Sequence, residues 1–247
     1  MDDLRDLDPI PGIDLFRLEQ LSAVELLRFA VERFGDRAAI GTSFQHSGIV
    51  LIDLAKEAGL ALRVFTIDTL RLHPETYRHI EEVERHFGLR VERVTPEPDE
   101  VARMVEQHGE FLFFDSPEKR LYCCKVRKDK PNAKYMQQLD CWITGVRRDQ
   151  SEERASTAQV QISSKYGHAI LKLNPMANWT NADVQARIQE RGLPQNALYA
   201  KGYPSIGCAI CTTPVRPWEP PRAGRWRWEL QGETKECGLH LEPGAGI

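Results

Sequence analysis

Short apolar segments alternate with amphipathic ones along most of the chain, and this alternation limits its fold more than any other feature. "RAAIGTSF", "LRVFTID", "LRVERVT", "CWITG" and "AILKLNP" each read as a strand, short and apolar enough to be buried. Before and between the first strands lie helical patterns with recognisable ends. "SAVELLRFAVERFG" has Ser22 as N-cap and Gly35 as stop; "SGIVLIDLAKEAGL" ends at Gly59; "PETYRHIEEVERHFG" has Pro74 in its first turn and Gly88 at its end. "EPDEVARMVEQHG" is predicted to be helical, and a further helical stretch is predicted from about Ser116 to Leu139. Strands separated by helices imply parallel pairing through helical crossovers. The expected class is therefore α/β, an open, mostly parallel twisted sheet flanked by helices. From Pro194 onwards Pro, Gly, Trp and Arg are frequent and periodicity fades, so an irregular C-terminal tail is expected.

In an open sheet of this kind ligands bind beyond the carboxyl ends of the strands. The loops to inspect are "TSFQHSG", "DTLRLHPE" and "TGVRRDQS". A net charge of -3 over 247 residues argues against a general polyanion binder, so no nucleic-acid partner is expected. No apolar run reaches the roughly 20 residues needed to cross a bilayer, and "MDDLRDLDPIPGIDLF" carries acids where a secretory signal needs basic residues. A cytoplasmic location without membrane contact is expected. In that reducing compartment the six cysteines point to metal binding, catalysis or burial rather than to disulfides.

Cys123 and Cys124 are adjacent in "YCCKVRK", and Cys208 and Cys211 form the C-x-x-C of "GCAICTTP". Adjacent side chains diverge, by about 100° on a helix, and so converge poorly on one small ion. A multi-iron cluster, in which each thiolate ligates a different iron, accommodates them better. Zinc, and no metal at all, are the alternatives. A redox dithiol at Cys208 would be expected at a strand-to-helix turn, whereas this pair lies in the irregular region. Cys237, in "KECGLH", has Lys235 and His240 nearby; an inert exposed thiol and a nucleophile are equally open. Cys141 opens an apolar strand and reads as a small buried hydrophobe.

Cations recur after the predicted strand ends and motif residues: Arg71 and His73, then Lys125, Arg127 and Lys128, then Arg147 and Arg148, and in the tail Arg222 and Arg225. Ordinary solvated charge is the bland reading. Four clusters bordering loops at one sheet edge favour a small anionic ligand, held bidentately by guanidinium groups. "TSFQHSG" precedes a helix and offers backbone N–H groups to an anion, but it lacks the G-K-[ST] ending of a Walker A loop.

Taken together, "IDTLRLHPET", "YCCKVRK", "WITGVRRDQS", "GCAICTTP", "RAGRWRWE" and "KECGLH" resemble the assimilatory sulfonucleotide reductases, in particular the adenylyl-sulfate reductases that carry a [4Fe-4S] cluster. The resemblance runs in family order from about Thr42 to Leu241. It implies an adenine nucleotide α-hydrolase-like fold, with residues 1–213 as the nucleotide-binding and cluster-binding domain and 214–247 as a mobile tail carrying the nucleophilic cysteine. It implies that Cys123, Cys124, Cys208 and Cys211 ligate the cluster. Cys237 matches the nucleophile, His240 the histidine of the terminal motif and Lys128 the lysine near both cluster and substrate. Ser43 matches the first nucleotide loop, and Arg71, Arg147, Arg148, Arg222 and Arg225 match substrate contacts. Two departures stand out: "SFQHSG" replaces the usual S-F-S-G-A-E-D, and Leu70 stands where the family carries glycine.

The activity implied is thiol-dependent reduction of adenosine 5'-phosphosulfate to sulfite and AMP through an enzyme S-sulfocysteine. No redox domain follows Cys237, so a separate thiol reductant, thioredoxin or similar, is expected, and a homo-oligomer is the expected assembly. Three rivals are weighed against this. A reductase of the 3'-phosphorylated nucleotide would leave the four other cysteines unexplained. An ATP-dependent thiolation or amidation enzyme would need an S-G-G-x-D-S loop. A non-catalytic iron–sulfur or zinc module would not need Cys237.

Overall fold

The computed structural model describes residues 10–229. Cys237 and His240 lie outside the described residues. After a short helix α1 (Leu15–Leu18), the chain forms α2 (Ala23–Phe34), β1 (Ala38–Gly41), α3 (His46–Glu57), β2 (Arg63–Ile67), α4 (Pro74–Phe87), β3 (Val91–Val94) and α5 (Pro98–His108). There follow α6 (Pro117–Cys124), a π-helical turn Lys125–Asp129, α7 (Lys130–Met136), β4 (Cys141–Thr144), β5 (Val160–Ser163), β6 (Ile170–Leu173) and α8 (Asn181–Arg191).

The helix ends are written in the sequence. Ser22 and Glu25 close a capping box at the start of α2: the Ser22 N–H donates to Glu25 Oε2 at 2.7 Å, and the Glu25 N–H donates to Ser22 Oγ at 3.3 Å. Ser116 caps α6 through the Lys119 N–H. From there α6, the π-turn and α7 run on without a break, as the predicted stretch from Ser116 to Leu139 implies.

The six strands order as β3-β2-β1-β4-β6-β5, and every pair is parallel except β5 with β6. Five strands are expected from the sequence; the sixth, β5, falls in the Ser- and Gln-containing interval between "CWITG" and "AILKLNP". Val160 and Ile162 alternate with Gln161 and Ser163, a half-buried edge pattern too short to stand out, and Val160 and Ile162 pack on the main core. α8 also lacks an expectation above, although Thr180 and Asp183 form a capping box and Gly192 ends it in the left-handed region.

Alternate residues of the strands feed two cores. Ala38, Ile40, Val64, Ile143, Leu171 and Leu173 face α2, α3, α4 and α8. Ala39, Phe65, Trp142 and Ile170 face Tyr135, Met136 and Leu139 on and after α7. This is the three-layer α/β architecture expected from the sequence. Residues 214–229, expected within the tail, pack on the body: the Val215 N–H donates to Gly202 O at 2.8 Å, and Trp226 is fully buried.

Gly41, at the carboxyl end of β1, lets Phe65 and Trp142 close over the strand. A Cβ there would stand 2.5 Å from Trp142 Nε1 and 2.7 Å from Phe65 Cζ. Gly41→Ala is therefore expected to destabilise the fold by roughly 1–3 kcal/mol through overpacking. The check is urea unfolding, in which the midpoint should fall and the slope stay unchanged.

Candidate functional site

The chain winds outward from β1 through β2 to β3, then crosses back to β4 on the other side of β1. The loops after β1 and β4 therefore part, which makes this point the switch point of the sheet. A cavity of ≈ 230 Å³ opens there. Its wall includes Thr42, Ser43, Gln45 and Gly48 from the first loop and the start of α3, Thr69 after β2, and Thr144, Gly145 and Gln150 from and after β4. Lys128, Arg154, Arg222 and Arg225 bring positive charge to it. The approach of α3 to β4 is close: a Cβ on Gly145 would meet the Ser47 backbone at 3.1 Å.

A second cavity lies beside it. Cys123, Cys124, Cys208 and Cys211 all line it, together with Arg71, Phe113, Arg120, Arg127, Lys128 and Ile210. The two cysteine pairs, far apart in sequence, thus share one wall. Lys128 and Cys208 line both cavities. Thr69 joins them as well, with its Oγ1 3.2 Å from Cys208 Sγ and its carbonyl accepting from Arg127 Nη1 at 3.0 Å.

None of these four cysteines forms a disulfide. Burial pushes the Cys123 thiol up, with Arg127 and Arg71 pulling the other way. Burial, aided by Cys208, pushes Cys211 up to about 12. Among the described residues no group of three or more His, Cys, Asp or Glu side chains is disposed to hold a metal ion. The thiols therefore line one cavity without gathering on a single point. Arg71 Nη1, Arg120 Nη1 and Arg127 Nε are buried without a hydrogen-bond partner. Buried N–H groups of cationic side chains call for an anion. Four cysteines and this unsatisfied positive charge fit a thiolate-held, anionic inorganic group in their chemistry.

The sequence-derived candidates divide by place. Ser43, Lys128, Arg222 and Arg225 line the switch-point cavity. Arg71 lines the cysteine cavity, where it stands over the Phe113 ring at 5.2 Å and donates to Glu110 O at 3.0 Å. Arg147 and Arg148 line neither cavity. Arg147 is bound to Ser47 Oγ and, at 2.9 Å, to Asp149 Oδ1, so it braces the start of α3 from beneath. Arg148 donates to Thr157 O at 2.8 Å and to Asn178 Oδ1. Gln150, Arg154 and Asn132 line the switch-point cavity, and Arg120 lines the cysteine one, without having been singled out above. Their only sequence signal is closeness to "RRDQS" and "YCCKVRK".

Leu70 has φ +59°. Asp68 Oδ1 accepts from the Leu70 N–H at 2.9 Å and from the Tyr77 hydroxyl at 2.8 Å, an Asx-type turn that sets this backbone.

A doubly wound α/β protein with a ligand cavity at its switch point and a cysteine-lined cavity adjoining it is thus defined. The chain belongs to the phosphoadenosine phosphosulfate reductase domain family, which it matches over residues 37–214. It is 41% identical over 232 residues to the adenosine 5'-phosphosulfate reductase of Allochromatium vinosum, covering 94% of this chain and 89% of that one. It is 39% identical to a probable chloroplastic 5'-adenylylsulfate reductase of Oryza sativa, covering 93% of this chain and 50% of that longer protein. Among solved structures, the phosphoadenylyl-sulfate reductase of Candida auris in a phosphate complex matches with a TM-score of 0.68 and 26% identity, over 81% of this chain and 96% of that one.

His46 opens α3 and is stacked on Tyr199, with ring centroids 3.6 Å apart. Its Nδ1 lies 2.8 Å from Gln185 Nε2. Burial pushes its pKa from 6.5 down to about 4, and burial also lowers His73 and His79. Between these values the unfolded chain binds protons that the folded one does not. Stability is therefore expected to fall as pH drops from about 6.5 towards about 4. Denaturant midpoints measured across that window check it, and His46→Gln should lessen the slope.

Proposed function

We propose that this chain reduces adenosine 5'-phosphosulfate to sulfite and AMP in sulfate assimilation, through an S-sulfocysteine on Cys237. The observation that carries this reading is the shared wall: Lys128 and Cys208 border both the switch-point cavity and the cysteine cavity. In this reading the nucleotide occupies the first cavity, with its anionic groups towards Lys128, Arg154, Arg222 and Arg225. The family membership and the names of the similar reductases support it.

Cys237 lies eight residues beyond Glu229, a reach of roughly 26 Å if extended. Its thiolate attacks the sulfur of the sulfate group; the S–O bond to AMP breaks and AMP leaves with that bonding pair. Nucleophile, sulfate and leaving phosphate are all anionic, so preorganised cations around the cavity offset their repulsion in the transition state. One thiolate of a dithiol reductant, thioredoxin or similar, then attacks Cys237 Sγ and releases sulfite. Its second thiol closes the reductant's disulfide, returns Cys237 as a thiolate and completes the two-electron balance. His240 is assigned to the same terminal motif. Arg147 and Arg148 act by bracing the loop after β4 rather than by touching the ligand. Residues 1–213 carry most of both cavities in this scheme, and 214–247 the remaining arginines and the nucleophile.

Cys123, Cys124, Cys208 and Cys211 are proposed to hold a [4Fe-4S] cluster. When bound, it supplies local charge beside Lys128 rather than the reducing electrons, which come from thiols. Arg71, Arg120 and Arg127 would balance its thiolates.

Protein purified without oxygen should be brown and contain iron and sulfide; a colourless, zinc-loaded preparation would remove the cluster. With a dithiol reductant it should release sulfite and AMP in equal amounts from adenosine 5'-phosphosulfate, and sulfite more slowly from the 3'-phosphorylated form, whose nucleotide leaves as adenosine 3',5'-bisphosphate. Cys237→Ser should lower sulfite release by roughly 10³-fold or more. Unchanged turnover in that variant would refute the covalent route.

A further inference from the structure

Trp226 is 1% exposed, and its backbone holds φ +43°. A bulky residue keeps that conformation only where its surroundings over-determine it. Three contacts do so. Its N–H donates to Cys211 O at 3.2 Å. The Arg120 guanidinium stands 4.4 Å from the ring, and that of Arg225 stands 4.7 Å from it.

The two guanidiniums belong to different cavities. Arg120 lines the cysteine cavity, and Arg225 lines the switch-point cavity. Arg225 lies so close over Gly207 that a Cβ there would come within 2.4 Å of its Nη2. Arg120 is held from behind by Glu229 in a buried ion pair whose side chains are 4% and 2% exposed. Arg120 Nη1 and Arg225 Nε are buried without a partner. Neither Trp226 nor Glu229 is among the residues that line the cavities.

We propose that Trp226 is a positioning residue that couples the two cavities, with Glu229 as its anchor. Two desolvated cations share one indole π-system, so the place taken by one alters the field that holds the other. Anionic charge in the cysteine cavity draws on Arg120, the indole transmits the shift, and Arg225 sets the anion affinity of the switch-point cavity. By linkage the effect is reciprocal: a nucleotide bound on one side changes the affinity for charge on the other. The inference deepens the proposed function and rests on reading the switch-point cavity as the nucleotide site.

AMP is the probe, titrated calorimetrically into the full-length protein isolated without oxygen. Wild type is compared with Glu229→Gln, Trp226→Phe and Trp226→Leu, each confirmed folded by circular dichroism at the assay temperature. Glu229→Gln keeps the size of the side chain, removes the charge that holds Arg120 and alters no residue lining either cavity. AMP affinity should fall about five-fold or more in Glu229→Gln and in Trp226→Leu, the low end of ordinary coupling. Trp226→Phe keeps an aromatic face and should stay within about two-fold of wild type. A purely structural role would lower the melting temperature of both Trp226 variants while Glu229→Gln bound AMP like wild type, and that result overturns the coupling. Should Trp226→Leu not fold, Glu229→Gln and Trp226→Phe decide the question. Wild type that does not bind AMP would instead sink the nucleotide reading, and the coupling with it.

Discussion

Parallel pairing of β1 with a neighbour on each side is the constraint on which the site depends. Because β2 and β4 both run alongside β1, the chain has to leave it in one direction and return in the other. The two loops cannot then close over the strand ends, and a crevice is left. α3 starts at its rim, and Ser47 through Ala55 are all buried. The N-terminal N–H groups of a helix packed so completely are fixed by the core rather than by the loops. The His46 N–H donates to the Tyr199 hydroxyl at 3.2 Å and the Gly48 N–H to Gln45 O at 2.9 Å, so the rim is held by the fold itself.

Charge is the second organising fact, and it is local. The chain carries a net charge of -3, yet Arg71, Arg120, Arg127 and Lys128 gather on a wall with four cysteines. Bringing guanidiniums out of water without full hydrogen bonding is costly unless negative charge accompanies them. Neutral thiols would not supply it; four thiolates would. The π-turn Lys125–Asp129 sits directly after the vicinal cysteines, where an inserted helical residue changes which side chains face the wall. Cys123 is buried and Cys124 is half-buried, yet both reach the same cavity.

Much of this was legible in the sequence. Helix ends marked by Ser22, Pro74, Gly88 and Ser116 depend on local chemistry, so they can be read without tertiary information. The strands β1 to β4 and β6 announce themselves as apolar runs. β5 does not, because an edge strand needs only every second residue to be apolar and Val160 and Ile162 suffice. Adjacency at Cys123 and Cys124 argues against a single small ion, but only the fold brings Cys208 and Cys211 to the same cavity wall. The arginines were harder. Arg147 and Arg148 follow β4 just as a ligand-binding pair would, but Ser47, Asp149, Thr157 and Asn178 determine where their guanidiniums point. Three of those partners come from other loops or from α3, and no local pattern reports them. Arg120 shows the converse: one position in an ordinary helical turn becomes significant because Glu229, 109 residues later, lies against it.

Among the described residues, three that are not glycine hold a left-handed backbone: Phe44, Leu70 and Trp226. Each belongs to a different segment around the cavities, and each costs about 1–2 kcal/mol relative to ordinary backbone. For Phe44 and Trp226, deep burial of an aromatic ring offsets that cost. Leu70 has no such return, since its side chain is 53% exposed. Its conformation is imposed from outside, by the Asp68 carboxylate on its N–H and by Arg127 on the carbonyl of Thr69. The turn after β2 is therefore held by hydrogen bonds on both sides of the Thr69–Leu70 peptide. The strained backbone at Leu70 keeps Thr69 Oγ1 3.2 Å from Cys208 Sγ, on the wall between the two cavities.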